Sequence, residues 1–356
     1  MIENDGEAGT ASAKSSRPQL IGADLADVFR TWGEPSFRYQ QLARWIYGEY
    51  IFDPLSMRDL PRRLRQKLMD EIEPFPLALV DERSADRAQT SKALFRLADG
   101  SLIESVLMRY PATARGRARR TVCVSSQVGC AVGCPFCATG LLGFKRHLTA
   151  AEIVSQVLFF AGRARQLEGS DSRITNVVLM GEGEPLANFR EVWSAVELLH
   201  DPDAVGLGAR RVTISTSGLA PGIRELAERR LPVGLAVSLH APTDDLRDRL
   251  VPINRKYPIA DLLQACQAYI LATGRRVSFE YAMMREINDG VEQAVALAQL
   301  LDGMLAHVNL IPLNLVDGSP FLPTARPEIN AFQRALQGRG VSCTVRATRG
   351  DVIDGA

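Results

Sequence analysis

The stretch Cys130-Ala-Val-Gly-Cys134-Pro-Phe-Cys137 places three of the chain's six cysteines in the spacing C-x3-C-x2-C. Buried free cysteines behave as small hydrophobic residues, so a chance cluster in the core is the simpler alternative. Against it, Gly129, Gly133 and Pro135 interrupt any regular helix or strand, and glycine lets backbone N–H groups approach a bound object closely. The segment is therefore predicted to be a loop that wraps a metal ion or an iron–sulfur cluster, for which thiolates are the ligands.

The number of available ligands separates these two kinds of site. A structural zinc ion normally takes four protein ligands in two knuckles, and no second knuckle follows this loop; His147 alone would be a poor fourth ligand. Three cysteines instead leave one iron of a [4Fe–4S] cluster open for a small molecule. The spacing resembles that of the radical S-adenosylmethionine (SAM) superfamily. That resemblance implies one [4Fe–4S] cluster held by Cys130, Cys134 and Cys137, with SAM chelated by the open iron.

Composition indicates an ordinary globular protein. The chain has 356 residues, 46% of them hydrophobic and 23% charged, with a formal net charge of +1. A polyanion would therefore be bound by local patches rather than by overall charge. The first eighteen residues are polar, and no run of about twenty apolar residues occurs. We expect a cytoplasmic protein with no membrane contact, since a reducing compartment keeps the thiols free.

From Thr121 onward, strand and helix patterns alternate. A capping box, Thr149-Ala-Ala-Glu152, precedes a long apolar run and predicts the start of a helix. The predicted strands are 122–126, 176–180, 211–215, 233–238, 277–281, 308–311 and 342–347; the other predicted helices are 189–200, 222–229, 259–273, 290–304 and 327–337. Six β/α units predict an α/β fold with a partial (βα)6 TIM-like barrel, because a full barrel uses eight units. Ahead of it we expect a small helical domain and a short β extension, in which Asp99-Gly100 joins strands 92–97 and 102–108.

In such barrels the functional residues lie at the carboxyl ends of the strands. Gly181-Glu182-Gly183-Glu184-Pro185 follows the second strand, and taken alone it would indicate only a tight turn. Ser215-Thr216-Ser217-Gly218 ends the third strand, Ser238-Leu239-His240-Ala241 the fourth, and 309–314 the sixth. Each motif is weak by itself, but together they ring one mouth that suits a polar cofactor with ribose and carboxylate groups.

Several multi-residue motifs also agree, in order, with one family. They are Cys123-Val-Ser-Ser-Gln-Val-Gly-Cys130, Phe136-Cys137-Ala-Thr-Gly140, 176–188, 215–218, 238–242, Val251-Pro-Ile-Asn254 and 309–314. In these segments the chain resembles the RlmN/Cfr family of radical SAM RNA methyltransferases, which act on adenine. The resemblance covers nearly the whole chain after the first twenty residues or so. It implies methylation at C2 in 23S rRNA, and in some bacteria in tRNA as well; Cfr members target C8, and the motifs alone do not separate the two.

The family's chemistry explains why radicals are needed. The C2–H of adenine is neither acidic nor nucleophilic, so polar transfer from the SAM sulfonium is not available. In the family, one SAM first methylates a cysteine near the C-terminus. A second SAM yields the 5′-deoxyadenosyl radical that activates this methyl group for addition to the base. The resemblance therefore implies two SAM molecules per turnover and a methyl-cysteine intermediate.

The resemblance also assigns roles to individual residues. It implies that Cys123 is the resolving cysteine, which forms a transient disulfide to release the product, and that Glu104 is the proton acceptor. The implied SAM contacts are Gly183, Glu184, Ser215, Ser238, Leu239, His240 and Asn314. Without the resemblance, Cys123 would be interpreted as a core cysteine and Glu104 as a surface carboxylate.

The C-terminal motif departs from the family. The family pattern is roughly Arg-Gly-Asp-x-Ile-Asp-Ala-Ala-Cys-Gly-Gln-Leu, whereas this sequence ends at Ala356, one position before the methyl-carrying cysteine. Cys343 and Cys266 do not match that motif and are predicted core residues. We expect the sequence as printed to bind the cluster and SAM but not to transfer methyl by this route. Two hypotheses stay open: a methyltransferase truncated by a few residues, or a radical SAM RNA-binding paralogue without methyl transfer.

The predicted organisation has five segments. They are a disordered tail (1–19), a helical accessory RNA-binding domain (20–76), a β-hairpin extension with a basic linker (77–115), the radical SAM core barrel (116–350) and a C-terminal segment (351–356). The third helix carries a basic strip, which alone would be a solvated face and in an RNA enzyme is a candidate phosphate contact. Its residues are Arg58, Arg62, Arg63, Arg65 and Lys67.

Further along, Arg115, Arg117, Arg119 and Arg120 indicate either a solvated linker or a mobile RNA-binding element. The implied partners are 23S rRNA, tRNA in some members, and an electron donor such as flavodoxin or ferredoxin. A monomer is expected, since one barrel mouth must accept a bulky RNA.

Overall fold

A ten-stranded sheet organises the computed structural model, which describes residues 17–22, 24–113 and 117–346. The strand order is β1-β2-β3-β4-β7-β8-β9-β10-β11-β12, and β5 pairs with β6 in a separate hairpin. The strands are β1 (Ala78–Ala85), β2 (Thr90–Arg96), β3 (Leu102–Tyr110), β4 (Arg119–Cys123), β5 (Gln127–Gly129), β6 (Phe144–His147), β7 (Asn176–Leu179), β8 (Val212–Thr216), β9 (Gly234–Ser238), β10 (Val277–Met283), β11 (Ala306–Pro312) and β12 (Cys343–Val345). The predicted tail lies almost wholly outside the described residues, as do Arg115 and the segment 351–356.

Three helices precede the sheet, and from β6 onward helices alternate with the strands. They are α1 (Leu25–Thr31), α2 (Ser36–Ala43), α3 (Arg62–Glu71), α4 (Ala138–Leu141), α5 (Ala150–Glu168), α6 (Phe189–His200), α7 (Ala220–Glu228), α8 (Asp244–Leu250), α9 (Ile259–Thr273), α10 (Val291–Leu300) and α11 (Arg326–Gln337). A π-helical turn, Arg44–Gly48, continues α2, and a short 3₁₀ helix, Pro185–Asn188, precedes α6. None of the described helices is long and apolar enough to cross a membrane.

The parallel part of the sheet confirms the predicted partial barrel. Strand β4 pairs parallel with β7, and each following strand to β12 pairs parallel with its predecessor. These strands are buried by the helices outside them, so their outward-facing residues are apolar. Within the described residues, β12 and β1 are the two open edges, which leaves the barrel incomplete. Because the parallel strands run in the same direction, their carboxyl ends lie together at one end of the barrel, which we call the mouth.

The helix α5 begins where its capping box predicts. Thr149 accepts from the Glu152 backbone N–H at 3.2 Å, and the Glu152 carboxylate accepts from the Thr149 N–H at 2.9 Å. Arg146 from β6 makes two further hydrogen bonds to the same carboxylate, at 2.8 and 2.9 Å. The start of α5 is thereby tied to the hairpin that frames the cysteine loop.

The antiparallel extension is larger than predicted. The expected hairpin is present, with Lys92 opposite Val106 and Gly100 in the left-handed conformation at φ 81°. A third strand, β1, pairs with β2 and was missed, because its mostly exposed and charged residues show no apolar alternation.

The basic linker also differs from the expectation, since Arg119 and Arg120 lie in β4. Pairing with β3 and β7 draws them into the sheet. Arg120 bonds Glu168, and the guanidinium of Arg119 lies 4.1 Å from the Tyr110 ring centroid. Both side chains are therefore engaged by their own chain.

Candidate active site at the mouth of the barrel

The cysteine loop is framed by the β5–β6 hairpin. Cys130 donates its backbone N–H to the Gly143 carbonyl at 2.9 Å, and Cys137 donates to the Cys134 carbonyl at 3.1 Å. Gly129 has φ 71°, and a Cβ there would lie 1.8 Å from the Gly143 oxygen. Only glycine fits this crossing, which fixes where the loop leaves the hairpin.

The three thiols are free and partly buried. Burial, together with the Glu184 carboxylate and the Cys137 thiol, raises the pKa of the Cys130 thiol to about 11. Burial raises the pKa of Cys134 even more, with added repulsion from the two neighbouring thiols. Neutral thiols are thus favoured until a strong positive charge binds among them, and a bound metal centre supplies that charge.

An apolar wall lies against one side of the loop. Val132, Cys134 and Phe136 pack on a separate cluster of buried residues, namely Ala241, Leu250, Val251, Ala282 and Met284. This wall keeps water from that side of the thiols. A low-dielectric surround of this kind strengthens electrostatic interactions within a cluster site.

The donor set fits a cluster better than a single ion. In the part of the chain that is described, no group of three His, Cys, Asp or Glu side chains converges closely enough to hold one metal ion. The thiols of Cys130, Cys134 and Cys137 are nevertheless near enough to raise one another's pKa. Thiolates around an iron–sulfur cluster bind different irons, so a ring of spaced soft donors suits that group.

The loop after β7 is locked by a buried carboxylate. Gly183 has φ 99°, and a Cβ there would lie 2.5 Å from Gln127 Cβ. The Glu184 carboxylate is almost fully buried and accepts from Ser217 N–H and Oγ, both at 2.6 Å, and from the Leu186 N–H at 3.0 Å. Burial raises the pKa of Glu184, and these hydrogen bonds oppose that rise. The ends of β7 and β8 are therefore held together beside the thiols.

Arg247, which the sequence analysis did not single out, ties the next strand ends together. It is fully buried on α8 and donates to the carbonyls of Leu239 (3.1 Å), Ser217 (2.6 Å) and Ser238 (3.1 Å), and to Asn254 Oδ1 (2.7 Å). Burial lowers its pKa to about 10, so it stays a cation at neutral pH. The available sequence signal was its position three residues before the apolar Leu250, on the same face of α8.

His240 has a left-handed backbone conformation and is held by two hydrogen bonds. Its φ is 59°, its Nδ1 accepts from the Ala282 N–H at 2.9 Å, and its carbonyl accepts from Asn288 Nδ2 at 2.9 Å. The ring meets Phe136 edge-on at 4.9 Å between centroids. Burial, with a contribution from Arg247, lowers the pKa of His240 to about 3. The imidazole is therefore neutral, with its proton on Nε2.

The remaining predicted SAM residues are less tightly connected. The backbone carbonyls of Ser238 and Leu239 accept hydrogen bonds from Arg247. Ser215 lies in β8, and Asn314 is partly buried two residues after β11 ends. Among the described residues, no hydrogen bond joins the side chains of Ser215 or Asn314 to the other predicted SAM residues.

Glu104 and Cys123 lie on the same face of adjacent strands. Cys123 ends β4 opposite Val106, and Glu104 is two residues from Val106 on β3. The Glu104 Oε1 lies 3.0 Å from Lys92 Nζ, and its backbone N–H donates to Glu182 Oε1 at 2.9 Å. Burial raises the pKa of the Cys123 thiol to about 11.

Four more buried or half-buried side chains organise the mouth, and the sequence analysis assigned no role to them. Gln127, Glu182 and Asn188 accept from or donate to backbone groups and so hold nearby segments of the chain in place. Glu280 is buried and faces the interior of the barrel. Asn188, for example, donates to the carbonyls of both Ser126 and Leu148. Polar residues of this kind carry no periodic pattern, so nothing in the sequence marks them as buried.

Two family models match the chain. Residues 124–298 match the radical SAM superfamily, and residues 19–73 match the ribosomal RNA large subunit methyltransferase N-terminal domain. The first range contains the cysteine loop and the strand ends from β7 to β10. The second contains the three N-terminal helices.

Curated relatives and one solved structure are similar over almost the full length. A probable dual-specificity RNA methyltransferase RlmN of Roseiflexus castenholzii is 45% identical, with 96% of both chains covered. The probable RlmN of Frankia casuarinae is 51% identical over 98% of this chain and 84% of its own. The crystal structure of a radical SAM methyltransferase from Sphaerobacter thermophilus superposes with a TM-score of 0.89 at 47% identity, covering 94% of this chain and 95% of that one.

Proposed function

Because this chain belongs to the RlmN family of radical SAM RNA methyltransferases, we propose that it methylates C2 of adenine in 23S rRNA, and in tRNA, through a methyl-cysteine intermediate. The observation that carries the proposal is the placement of the C-x3-C-x2-C loop beside the motif-bearing strand ends, in a chain similar to RlmN proteins over nearly its whole length. A family likeness without this site would support the fold alone.

Cys130, Cys134 and Cys137 would hold a [4Fe–4S] cluster, and SAM would bind at the strand ends beside it. When bound, the cluster and SAM supply one-electron chemistry that protein side chains lack. The apolar wall behind Cys134 excludes water from the site. Arg247 ties the chain just after β8 to the end of β9.

Gly183, Glu184 and His240 would bind the polar groups of SAM. Gly183 brings backbone close to the mouth, and the Glu184 carboxylate is fixed in place by three hydrogen bonds. His240 is neutral and offers Nε2–H as a donor. Because all three are held by their own chain, the site is preorganised for a ligand with both positive and negative groups.

Glu104 is the proposed proton acceptor and Cys123 the proposed resolving thiol. The Glu104 carboxylate is partly exposed, so the substrate adenine could reach it, and Lys92 Nζ, 3.0 Å from Glu104 Oε1, fixes its position. Cys123 lies on the same face one strand away. Both groups would therefore face one substrate position.

RNA would be bound outside the mouth as well. On and just before α3, Arg58, Arg62 and Arg63 are exposed, while Arg65 and Lys67 are partly buried by contacts with Leu55 and Trp32. The first three are therefore the better phosphate contacts. A flavodoxin- or ferredoxin-type electron donor, a monomeric state and a cytoplasmic location complete the proposal; light scattering and fractionation test the last two.

The test is an anaerobic assay of reconstituted protein. The resemblance places the methyl-carrying cysteine one position beyond Ala356, so the assay compares the sequence as printed with the same sequence extended by Cys-Gly-Gln-Leu. Iron content, 5′-deoxyadenosine, and methyl groups on protein and on RNA are counted in each. We expect iron and SAM cleavage in both, and C2-methyladenosine in a 23S rRNA fragment only with the extension.

Each of the other possible results would correct a specific part of the proposed function. Methylation at C8 would assign a Cfr-type outcome. C2-methyladenosine from the printed sequence would mean that another residue carries the methyl group, with Cys343 tested first. Absence of both iron and SAM cleavage would refute the radical mechanism.

A further inference from the structure

The last described residue, Arg346, lies at the rim of the mouth, with its side chain 47% exposed. Its backbone N–H donates to the Leu310 carbonyl at 2.8 Å, which continues the pairing of β12 with β11. Its Nε is 3.7 Å from Glu280 Oε2, and its Nη2 is 4.0 Å from Met180 Sδ. The guanidinium therefore spans from β10 to the end of β7, across the open mouth.

Glu280 is a buried carboxylate with one unsatisfied oxygen. It is 4% exposed, and its Oε1 accepts from Asn309 Nδ2 at 2.8 Å. Asn309 is held in turn by Thr344, which donates to its Oδ1 at 2.8 Å. Within the described part of the chain, Oε2 has no hydrogen-bond partner. A buried carboxylate without a paired cation is costly, and Arg346 is the cation placed to pair with it.

Cys123 lies near Arg346 across strand β7. It pairs with Val178 on β7, and Met180, whose Sδ is 4.0 Å from Arg346 Nη2, lies two residues beyond Val178 on the same face. The positive charge of the guanidinium therefore favours the Cys123 thiolate and opposes the effect of burial. Other charged groups lie on the neighbouring elements: Glu104 with its partner Lys92 on the same strand face, Glu182 bonded to the Glu104 N–H, and Glu280 beyond Arg346. Among these charges, that of Arg346 acts on the Cys123 thiol.

We propose that Glu280 holds the Arg346 guanidinium beside Cys123, so that this thiol ionises and reacts more readily than a buried thiol without a neighbouring cation. In the ionisation the S–H bond breaks, the electron pair stays on sulfur, and the proton passes to water at the mouth. The thiolate is the reactive form of cysteine. Glu280 and Arg346 are thus positioning residues. Their importance rests on the role proposed for Cys123, whereas the thiol chemistry can be measured without any methyl transfer.

The sign of one substitution separates positioning from simple charge. If Glu280 acted only as a nearby anion, Glu280→Gln would make Cys123 easier to ionise, because a repelling negative charge is removed. If Glu280 anchors Arg346, the same substitution frees the guanidinium and makes Cys123 harder to ionise. The two accounts predict opposite shifts in the pKa of this thiol.

The experiment is pH-dependent alkylation of the cluster-loaded protein under anaerobic conditions. Iodoacetamide is the probe, and peptide mass spectrometry quantifies modification at Cys123 separately from the other cysteines. The variants are Arg346→Met, Arg346→Lys and Glu280→Gln, with Arg339→Met as the matched control on exposed surface. Cys343, buried on the neighbouring part of β12, is the internal control in every sample.

We expect Arg346→Met to raise the apparent pKa of Cys123 by about one unit, a tenfold loss of thiolate at neutral pH. Arg346→Lys should restore most of it, Glu280→Gln should raise it in the same direction, and Arg339→Met should leave it unchanged. An unchanged Cys123 in Arg346→Met, or a lower pKa in Glu280→Gln, would overturn the proposal. Equal changes at Cys343 would also count against it, because they would indicate general loosening. If these changes in the pKa of Cys123 are observed but RNA is not methylated, only the proposed function is contradicted.

Discussion

Two arginines on two helices show how differently this molecule uses one side chain. Arg247, on α8 behind the mouth, is fully buried and donates to three strand-end carbonyls and to Asn254. Arg63, on α3, has a side chain that is 85% exposed, and it pairs with Glu34 at 2.9 Å. Water can replace the partners of Arg63 but not those of Arg247. The mouth is therefore built for fixed geometry, and the α3 face for contacts that can be exchanged.

The largest effect is expected where the mouth would hold its cofactor. Cys134→Ser removes one of the three proposed cluster ligands from the partly buried loop. It should abolish cluster assembly, and with it SAM cleavage, while the protein stays folded. Iron content, visible absorbance and 5′-deoxyadenosine formation measure this. Cys343→Ser is the control and should keep its iron; normal iron in Cys134→Ser would show that the loop is not the cluster site.

Removal of the buried Arg247 guanidinium tests whether a buried arginine matters more to stability than an exposed one. Arg247→Met leaves several buried acceptors unpaired, and we expect it to reduce the free energy of unfolding by about 3–5 kcal/mol. Arg249→Met, an exposed position on the same helix, should change it by less than about 0.5 kcal/mol. Urea denaturation measures both variants. Similar small losses in the two would mean that the carbonyls at the strand ends do not depend on Arg247.

The pH dependence of stability tests the burial of His240 at the mouth. Its folded pKa, about 3, is below the unfolded value of 6.5, so the unfolded chain binds the proton first as the pH falls. Stability is therefore present above pH 6.5 and is lost between pH 6.5 and about 3, by up to about 1.4 kcal/mol per pH unit. His240→Asn, which keeps an acceptor at Ala282 and tolerates positive φ, should flatten this part of the curve. Parallel wild-type and variant curves would rule out His240 as the source.

The smallest change in stability is expected on α3. Arg62→Ala and Arg63→Ala should each alter the free energy of unfolding by less than about 0.5 kcal/mol, because both side chains are exposed. Each should weaken RNA binding and reduce the slope of log K against log salt by about 1 if it contacts one phosphate. Filter binding to a 23S rRNA fragment at several salt concentrations measures this. Arg339→Ala, at an exposed position two residues after α11, is the control, and equal slopes in all variants would remove α3 from the RNA interface.

Elements with a complete local signal were predicted to the residue. The bounds of α6 and α9 agree with the predicted 189–200 and 259–273, because amphipathic periodicity and flanking breakers both mark their ends. The capping box of α5 is equally local. Strand β1 was missed because its pairing with β2, rather than an apolar pattern of its own, makes it a strand. Arg119 and Arg120 were placed in a linker for the same reason.

The sequence alone determined the α/β class, the alternation that makes a partial barrel, and the thiol spacing that predicts an iron–sulfur site. These depend on residues near one another in the chain, so a local pattern can carry them. Only the tertiary structure decided which polar groups are buried and what they touch. Three sets of contacts join residues that are 30 or more positions apart in the sequence. They are Glu184 with Ser217, Arg247 with Ser217, and Arg346 with Glu280 and Cys123. Burial makes such contacts energetically decisive, and burial arises only when distant strands meet.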